Sequence, residues 1–215
     1  MSLLVVTAVE AEREAVIRDL GPTAAAQLEV VVAGVGPVAA AVGTIAALHR
    51  LPDTSLVISA GIAGGFSGRA AVGDIAIADR ITFADLGART DAGFLTLAEM
   101  GLRQESSYSK TDDRVRERIA QAPVSVVRGE ILTLACMTGT DDDAAQLAAR
   151  HPRAIAEAME GFGVAAAAHD AGLPFAEVRA VSNTIGKRDP TTWNIPGAFG
   201  ALARAFAVLL KEPLE

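Results

Sequence analysis

Short runs rich in valine, isoleucine and leucine alternate along the chain with alanine-rich stretches of helical period. Residues 3–9 read as a buried strand, and residues 10–20 as a helix stopped by Gly21-Pro22. A second strand covers 28–33. Pro37 then opens a helix over 38–50, because its fixed φ suits the first helical position and its missing N–H is not needed there. Residues 55–60 form a third strand that runs into Gly61-Ile62-Ala63-Gly64-Gly65, which reads as a flexible loop. Further strands are expected at 74–80 and 124–134, followed by a helix over 141–151 with Asp141, Asp142 and Asp143 at its positive end. A short strand at 155–159 leads into a helix over 161–171. The last strand covers 175–182, and a terminal helix covers 195–211. The stretch 81–110 has weaker periodicity and scattered Gly and Ser, and reads as an excursion edging a pocket or an interface. No internal repeat or linker interrupts the pattern, so residues 1–215 are expected to form a single domain.

Continuous apolar strands separated by helices imply an α/β fold whose sheet is buried on both faces. In such sheets ligands gather at the carboxyl ends of the strands. Composition supports a folded chain, with 51% hydrophobic and 21% charged residues. The net charge of −7 and the lack of a Lys/Arg cluster exclude a nucleic-acid partner, which needs a basic face against phosphates. No apolar run approaches the ~18 residues of a membrane span. The start lacks a basic segment and meets Glu10, Glu12 and Glu14 too soon for a signal peptide. With a single cysteine, a reducing, cytoplasmic setting is expected. That residue, Cys136, lies in the apolar run Leu132-Thr133-Leu134-Ala135-Cys136-Met137 and reads as a buried structural thiol rather than a nucleophile.

Several clusters carry candidate chemistry. Gly34-Val35-Gly36-Pro37-Val38-Ala39 has the spacing of a dinucleotide-binding turn, but the following strand ends Ile58-Ser59-Ala60 with no acid for a ribose. The glycines therefore read as a tight turn with close backbone approach. Glu10, Glu12 and Glu14 suit a helix start by charge alone, as solvated capping residues. A carboxylate just past a strand is also where a general base sits. Glu160, between an apolar run and a helix with five alanines among residues 164–171, would be partly buried and in need of hydrogen-bond donors. Vicinal sugar hydroxyls are donors of that kind. Arg179-Ala180-Val181-Ser182-Asn183 puts polar groups at the end of the last strand, where Asn183 alone reads equally as a turn residue.

In order and spacing, Ala8-Val9-Glu10-Ala11-Glu12, Ala60-Gly61-Ile62-Ala63-Gly64-Gly65, Val72-Gly73-Asp74-Ile75, Ala158-Met159-Glu160 and Val178-Arg179-Ala180-Val181-Ser182-Asn183 resemble the nucleoside phosphorylase/nucleosidase superfamily across nearly the whole chain. The resemblance implies a three-layer α/β/α sandwich around a twisted mixed sheet. It also implies a homo-oligomer, dimer or larger, with no cofactor and no metal. It implies that Glu12 activates an attacking water, that Met159 and Glu160 bind the ribose hydroxyls, and that Ile62, Ala63 and Gly64 lie beside base and sugar. Met137 falls where adenine-specific members stack a phenylalanine on the purine, with Thr138 next to it. Adenine-releasing members have aspartate where this chain has Asn183. An amide NH2 donates, so it suits the N7 and O6 acceptors of a 6-oxopurine. The segments 158–165 and 182–190 look most like the futalosine-cleaving branch, which releases hypoxanthine in one route to menaquinone. Futalosine carries an aromatic carboxylate, and Lys187 and Arg188 are candidates to meet it, although both also read as solvated loop charges. Trp193 reads as a packing residue. A phosphorylase, a methylthioadenosine/S-adenosylhomocysteine nucleosidase and a catalytically inactive nucleoside-binding protein remain as alternatives.

Overall fold

The computed structural model describes residues 2–102, 106–108, 112–212 and 214. Strand β1 (Ser2–Thr7) pairs in parallel with β2 (Leu28–Val32) and with β3 (Thr54–Gly65). From β3 the sheet curls back on itself. β10 (Phe175–Thr184) lies parallel to β3 and antiparallel to β4 (Ile75–Phe83). β4 is parallel to β8 (Val126–Thr133), and β8 to β9 (Ala154–Ala158). β9 then meets the end of β3, antiparallel, at Gly64 and Gly65. The result is a mixed sheet whose middle closes into a distorted barrel, with β1 and β2 as an open wing.

Both faces of this sheet are covered, which is why its strands carry unbroken apolar runs. Leu3, Val5, Leu56 and Ile58 face one layer, made by α1 (Glu10–Ile17), α4 (Asp113–Ile119) and α7 (Ile195–Leu209). Leu4, Val6, Val57 and Ala156 face the other, made by α3 (Pro37–Arg50) and α6 (Gly161–Asp170). The expected three-layer α/β/α sandwich is therefore the observed fold. Small residues set the distance between α3 and α6. A methyl group at Gly163 would strike the Pro37 carbonyl oxygen and come within 3.1 Å of the Ala41 nitrogen.

Several expectations need correction. The flexible loop at residues 61–65 is instead the tail of β3, held by ladder pairing to β9 and β10. Glycines extend the strand because neighbours press against it: a Cβ at Gly65 would lie 2.6 Å from the Ala70 carbonyl oxygen. β10 continues past residue 182, so Asn183 is a strand residue and not a turn residue. Within the excursion 81–110 a hairpin forms from β5 (Gly87–Thr90) and β6 (Gly93–Thr96), and β7 (Ser107–Tyr108) adds to β4. Residues 103–105 and 109–110 of that excursion lie outside the described ones. The short helices α2 (Pro22–Ala25) and α4 carry too little periodic pattern to be read in advance. Cys136 is exposed, not buried. β8 ends at Thr133, and the Asp85 carboxylate then accepts from the backbone N–H groups of Ala135 and Cys136, turning the chain outward. No described helix is long and apolar enough to cross a membrane.

Replacing Gly163 with alanine should lower unfolding free energy by about 1–3 kcal/mol through overpacking of α6 on α3. Urea denaturation would register this as a lower midpoint at unchanged slope. An unaltered midpoint would mean that the helices separate without cost.

Candidate active site

At the carboxyl ends of β1, β3 and β10 lies a cavity of about 220 Å³. Glu12, Ile62, Ala63, Gly64, Met137, Thr138, Met159, Glu160 and Asn183 all line it, so the structure brings together every site residue expected from sequence. They come from five separate segments of the chain, which shows how far sequence spacing alone is from geometry.

Glu12 sits in the first turn of α1 and is only 4% exposed. It is thus not a solvated cap. Its Oε2 accepts from the backbone N–H of Ala8 at 2.9 Å and of Val9 at 3.3 Å, and its Oε1 from Ile62 N–H at 2.9 Å. The reach back to Val9 is the half of a capping box that an acid at the third helical position supplies. The bond to Ile62 ties it to β3. Gly61 makes that approach possible, because a Cβ there would collide with the Glu12 carboxylate and lie 2.7 Å from an Arg179 nitrogen.

Glu160, at the start of α6, is buried, accepts from Gly36 N–H at 3.1 Å and Met159 N–H at 3.3 Å, and forms an ion pair with the Arg179 guanidinium at 3.2 Å. Gly34 and Gly36 have φ of 99° and 93°, values that favour glycine. The dinucleotide-like motif is thus a turn that aims one amide at Glu160. The donors that a buried Glu160 needs are therefore supplied largely by the protein.

Arg179 was quoted in sequence as part of a motif, without a role. It is 1% exposed and also binds Glu177 at 2.9 Å and the Ser59 hydroxyl at 3.0 Å. Burial opposes its charge, but Glu177, Glu160 and Glu12 outweigh that and hold its pKa above the ordinary arginine value. Burial pushes the Glu177 carboxyl upward despite Arg179, and among the described residues its Oε2 has no hydrogen-bond partner. The available signal was Glu177 and Arg179 two apart in an apolar strand, hence on one face.

Asn183 has a defined orientation. Its Oδ1 accepts from the Ser182 hydroxyl at 2.9 Å and its Nδ2 donates to the Thr184 carbonyl at 3.2 Å. A flipped amide would set oxygen against that carbonyl, so the bond to Thr184 fixes which end is the NH2. Glu157 went unnoticed in sequence although it is a lone charge in Ala154-Ile155-Ala156-Glu157-Ala158. It also lines the cavity, and it accepts from both the N–H and the hydroxyl of Thr138. Trp193, read as a packing residue, is half-buried in the cavity wall under the Arg188 guanidinium, which lies 4.9 Å from its ring centre. Lys187 lines the same end. Arg69, by contrast, spends its guanidinium on the carbonyls of His151, Ala154 and Ala148, away from the cavity.

Comparison with known proteins bears on the family and the fold. A futalosine hydrolase from Acidothermus cellulolyticus is 46% identical over 159 residues, covering 72% of this chain and 64% of that protein. One from Streptomyces coelicolor is 46% identical over 154 residues, with coverage of 72% and 64%. The chain thus spans slightly less than two thirds of the length of these curated relatives. The fold is shared with a 5'-methylthioadenosine/S-adenosylhomocysteine nucleosidase from Colwellia psychrerythraea solved with adenine, at 23% identity and a TM-score of 0.83, covering 100% of this chain and 98% of that one. A counterpart from Neisseria meningitidis gives 21% identity and a TM-score of 0.84, with 98% of each chain covered. The phosphorylase superfamily model matches residues 10–214, and with the strand order and cavity above it shows that the chain belongs to that superfamily.

Proposed function

We propose that this chain is an N-glycosyl hydrolase that releases hypoxanthine from futalosine. The observation that carries the reading is the Glu12 carboxylate, fixed by three main-chain amides on the wall of the cavity that also holds Glu160 and Asn183. A carboxylate so held has an unspent acceptor position and cannot swing away, which suits a base that must face one water. The 46% identical relatives named for futalosine narrow the substrate.

In the proposed reaction the C1′–N9 bond lengthens and its electron pair leaves with the purine. The Asn183 NH2 donates to the N7/O6 side, where negative charge gathers. Glu160 and Met159 hold the ribose, while Ile62, Ala63 and Gly64 flank sugar and base. Met137 and Thr138 bound the base end. Glu12 takes a proton from water as the oxygen bonds to C1′, and the departing base takes up a proton in turn. The reaction is redox-neutral and calls for no cofactor or metal. An aromatic carboxylate beyond the sugar fits Arg188 and Trp193, since a guanidinium pairs with carboxylate and the indole offers a stacking face.

Water is preferred to phosphate as the nucleophile. A phosphate cradle needs cations near the glycine turns. Gly34–Ala40 carries none, and Arg69 is committed to backbone carbonyls. We also propose a homo-oligomer built on α3. Val35, Val38, Val42 and Ile45 are 57%, 75%, 63% and 43% exposed and form one apolar stripe. Its Val35 end lies in the cavity wall, so a second copy packed there would border the site.

Glu12→Gln should cut kcat roughly 10²–10⁴-fold with little change in ligand binding, and wild-type turnover should be the same with and without phosphate. Base release followed by chromatography measures both, and phosphate-dependent turnover would overturn the assignment of water. Asn183→Asp should lower kcat/KM on futalosine or inosine roughly 10- to 100-fold relative to methylthioadenosine. An unchanged ratio between those substrates would remove Asn183 from base reading. Light scattering should find wild type as a dimer or larger and Val42→Asp as a monomer; a monomeric wild type would refute the α3 interface.

A further inference from the structure

The strand register places three residues in one row. Gly64 on β3 is the partner of Glu157 on β9 and of Asn183 on β10. Directly opposed residues in a sheet send their side chains to the same face. A carboxylate and an amide therefore flank a position that has no side chain. A Cβ at Gly64 would lie 3.3 Å from Asn183 Nδ2 and 3.6 Å from Glu157 Cγ, and all three residues line the cavity.

Among the described residues no cation accounts for the charge of Glu157. It is 5% exposed, and among the described residues no Lys, Arg or His lies within ion-pair distance. Among the described residues its two oxygens accept only from Thr138, at 3.1 Å and 2.6 Å, which leaves about half of a carboxylate's acceptor capacity unused. Burial pushes its pKa upward, opposed by the Thr138 donors and aided by the nearby negative charge of Asp85. A buried acceptor kept at such cost needs a donor that the described residues do not provide. Asn183 is the complement: its Oδ1 is occupied by Ser182, and one Nδ2 hydrogen goes to Thr184, so the other is free for an acceptor.

A 6-oxopurine presents this complementary pattern on one edge, with acceptors at N7 and O6 and a donor at N1–H. We propose that Glu157 is a specificity-determining residue that accepts the N1–H of the base while Asn183 donates to O6 or N7. Together the two select the lactam edge, and Gly64 leaves the space for it. Adenine, whose N1 is an acceptor, would turn a lone pair toward the carboxylate. Thr138 is then a positioning residue that fixes both Glu157 oxygens. The inference deepens the hydrolase reading and depends on its choice of base.

Calorimetric titration of free bases tests it apart from catalysis. Wild type should bind hypoxanthine roughly 10- to 100-fold more tightly than 1-methylhypoxanthine, which lacks the donor. Glu157→Ala should lose that factor for hypoxanthine and bind both bases about equally. Glu157→Gln, which keeps one acceptor oxygen and the side-chain volume, should fall between, and it secures the comparison if the alanine variant does not fold. The proposal is overturned if wild type ignores N1 methylation or binds neither base. It is equally overturned if the variants weaken both bases alike, which would mark Glu157 as merely structural. Selective hypoxanthine binding without nucleoside cleavage would uphold Glu157 and refute the hydrolase reading instead.

Discussion

One buried cation organises this site. Arg179 sits on the central strand β10, shielded from water, and a guanidinium there is tolerable only when its hydrogens are all directed at acceptors. Glu177 and Glu160 supply charge, and Ser59 supplies a neutral acceptor. The surrounding sequence bends to this cluster. Gly61 lacks a side chain because Glu12 and Arg179 occupy the space, and Gly161 lacks one because the Glu177 carboxylate does. The first turn of α6 and the tail of β3 are thus set at contact distance from the cation. Removing one partner of such a pair typically costs about 3–5 kcal/mol, because the other charge stays buried and unpaired.

The closing of the sheet matters for the same reason. β3 is paired along its length by β1 and β10, and at its end by β9. A segment held from three directions has little freedom, so the cavity floor at Ile62, Ala63 and Gly64 is rigid although rich in small residues. Glycine serves close packing here, not mobility.

Much of this was legible in the sequence, and the failures have physical causes. Layers and strand order of burial follow from uninterrupted apolar runs, since a strand covered on both faces has no polar alternation to confuse. Glu12, Glu160 and Asn183 stand just past such runs, where β-strands deliver side chains to a cleft. The tail of β3 was misread because glycine signals freedom locally, and only the tertiary contacts of Gly61 and Gly65 reveal the opposite. Cys136 was misread because an apolar stretch does not show where its strand stops; the Asp85 carboxylate, distant in sequence, ends it. Glu157 had no place in the sequence reading and Arg179 no role, although charged residues inside apolar strands are strong anomalies. Their partners lie on other strands, so the anomaly is visible early but its meaning is not.

The manner in which Glu12 is held has an evolutionary consequence. Its donors are the main-chain amides of Ala8, Val9 and Ile62, and Glu160 likewise leans on Gly36 and Met159. A peptide N–H survives almost any exchange of the side chain it belongs to, proline excepted. Ala8, Val9 and Ile62 are at the same time cavity-lining residues. Mutations there reshape the wall against which a ligand rests while the carboxylates keep their aim. The shape of the cavity can therefore drift among descendants while the two carboxylates stay in place, so that a lineage can vary what the wall accepts without rebuilding what the wall surrounds.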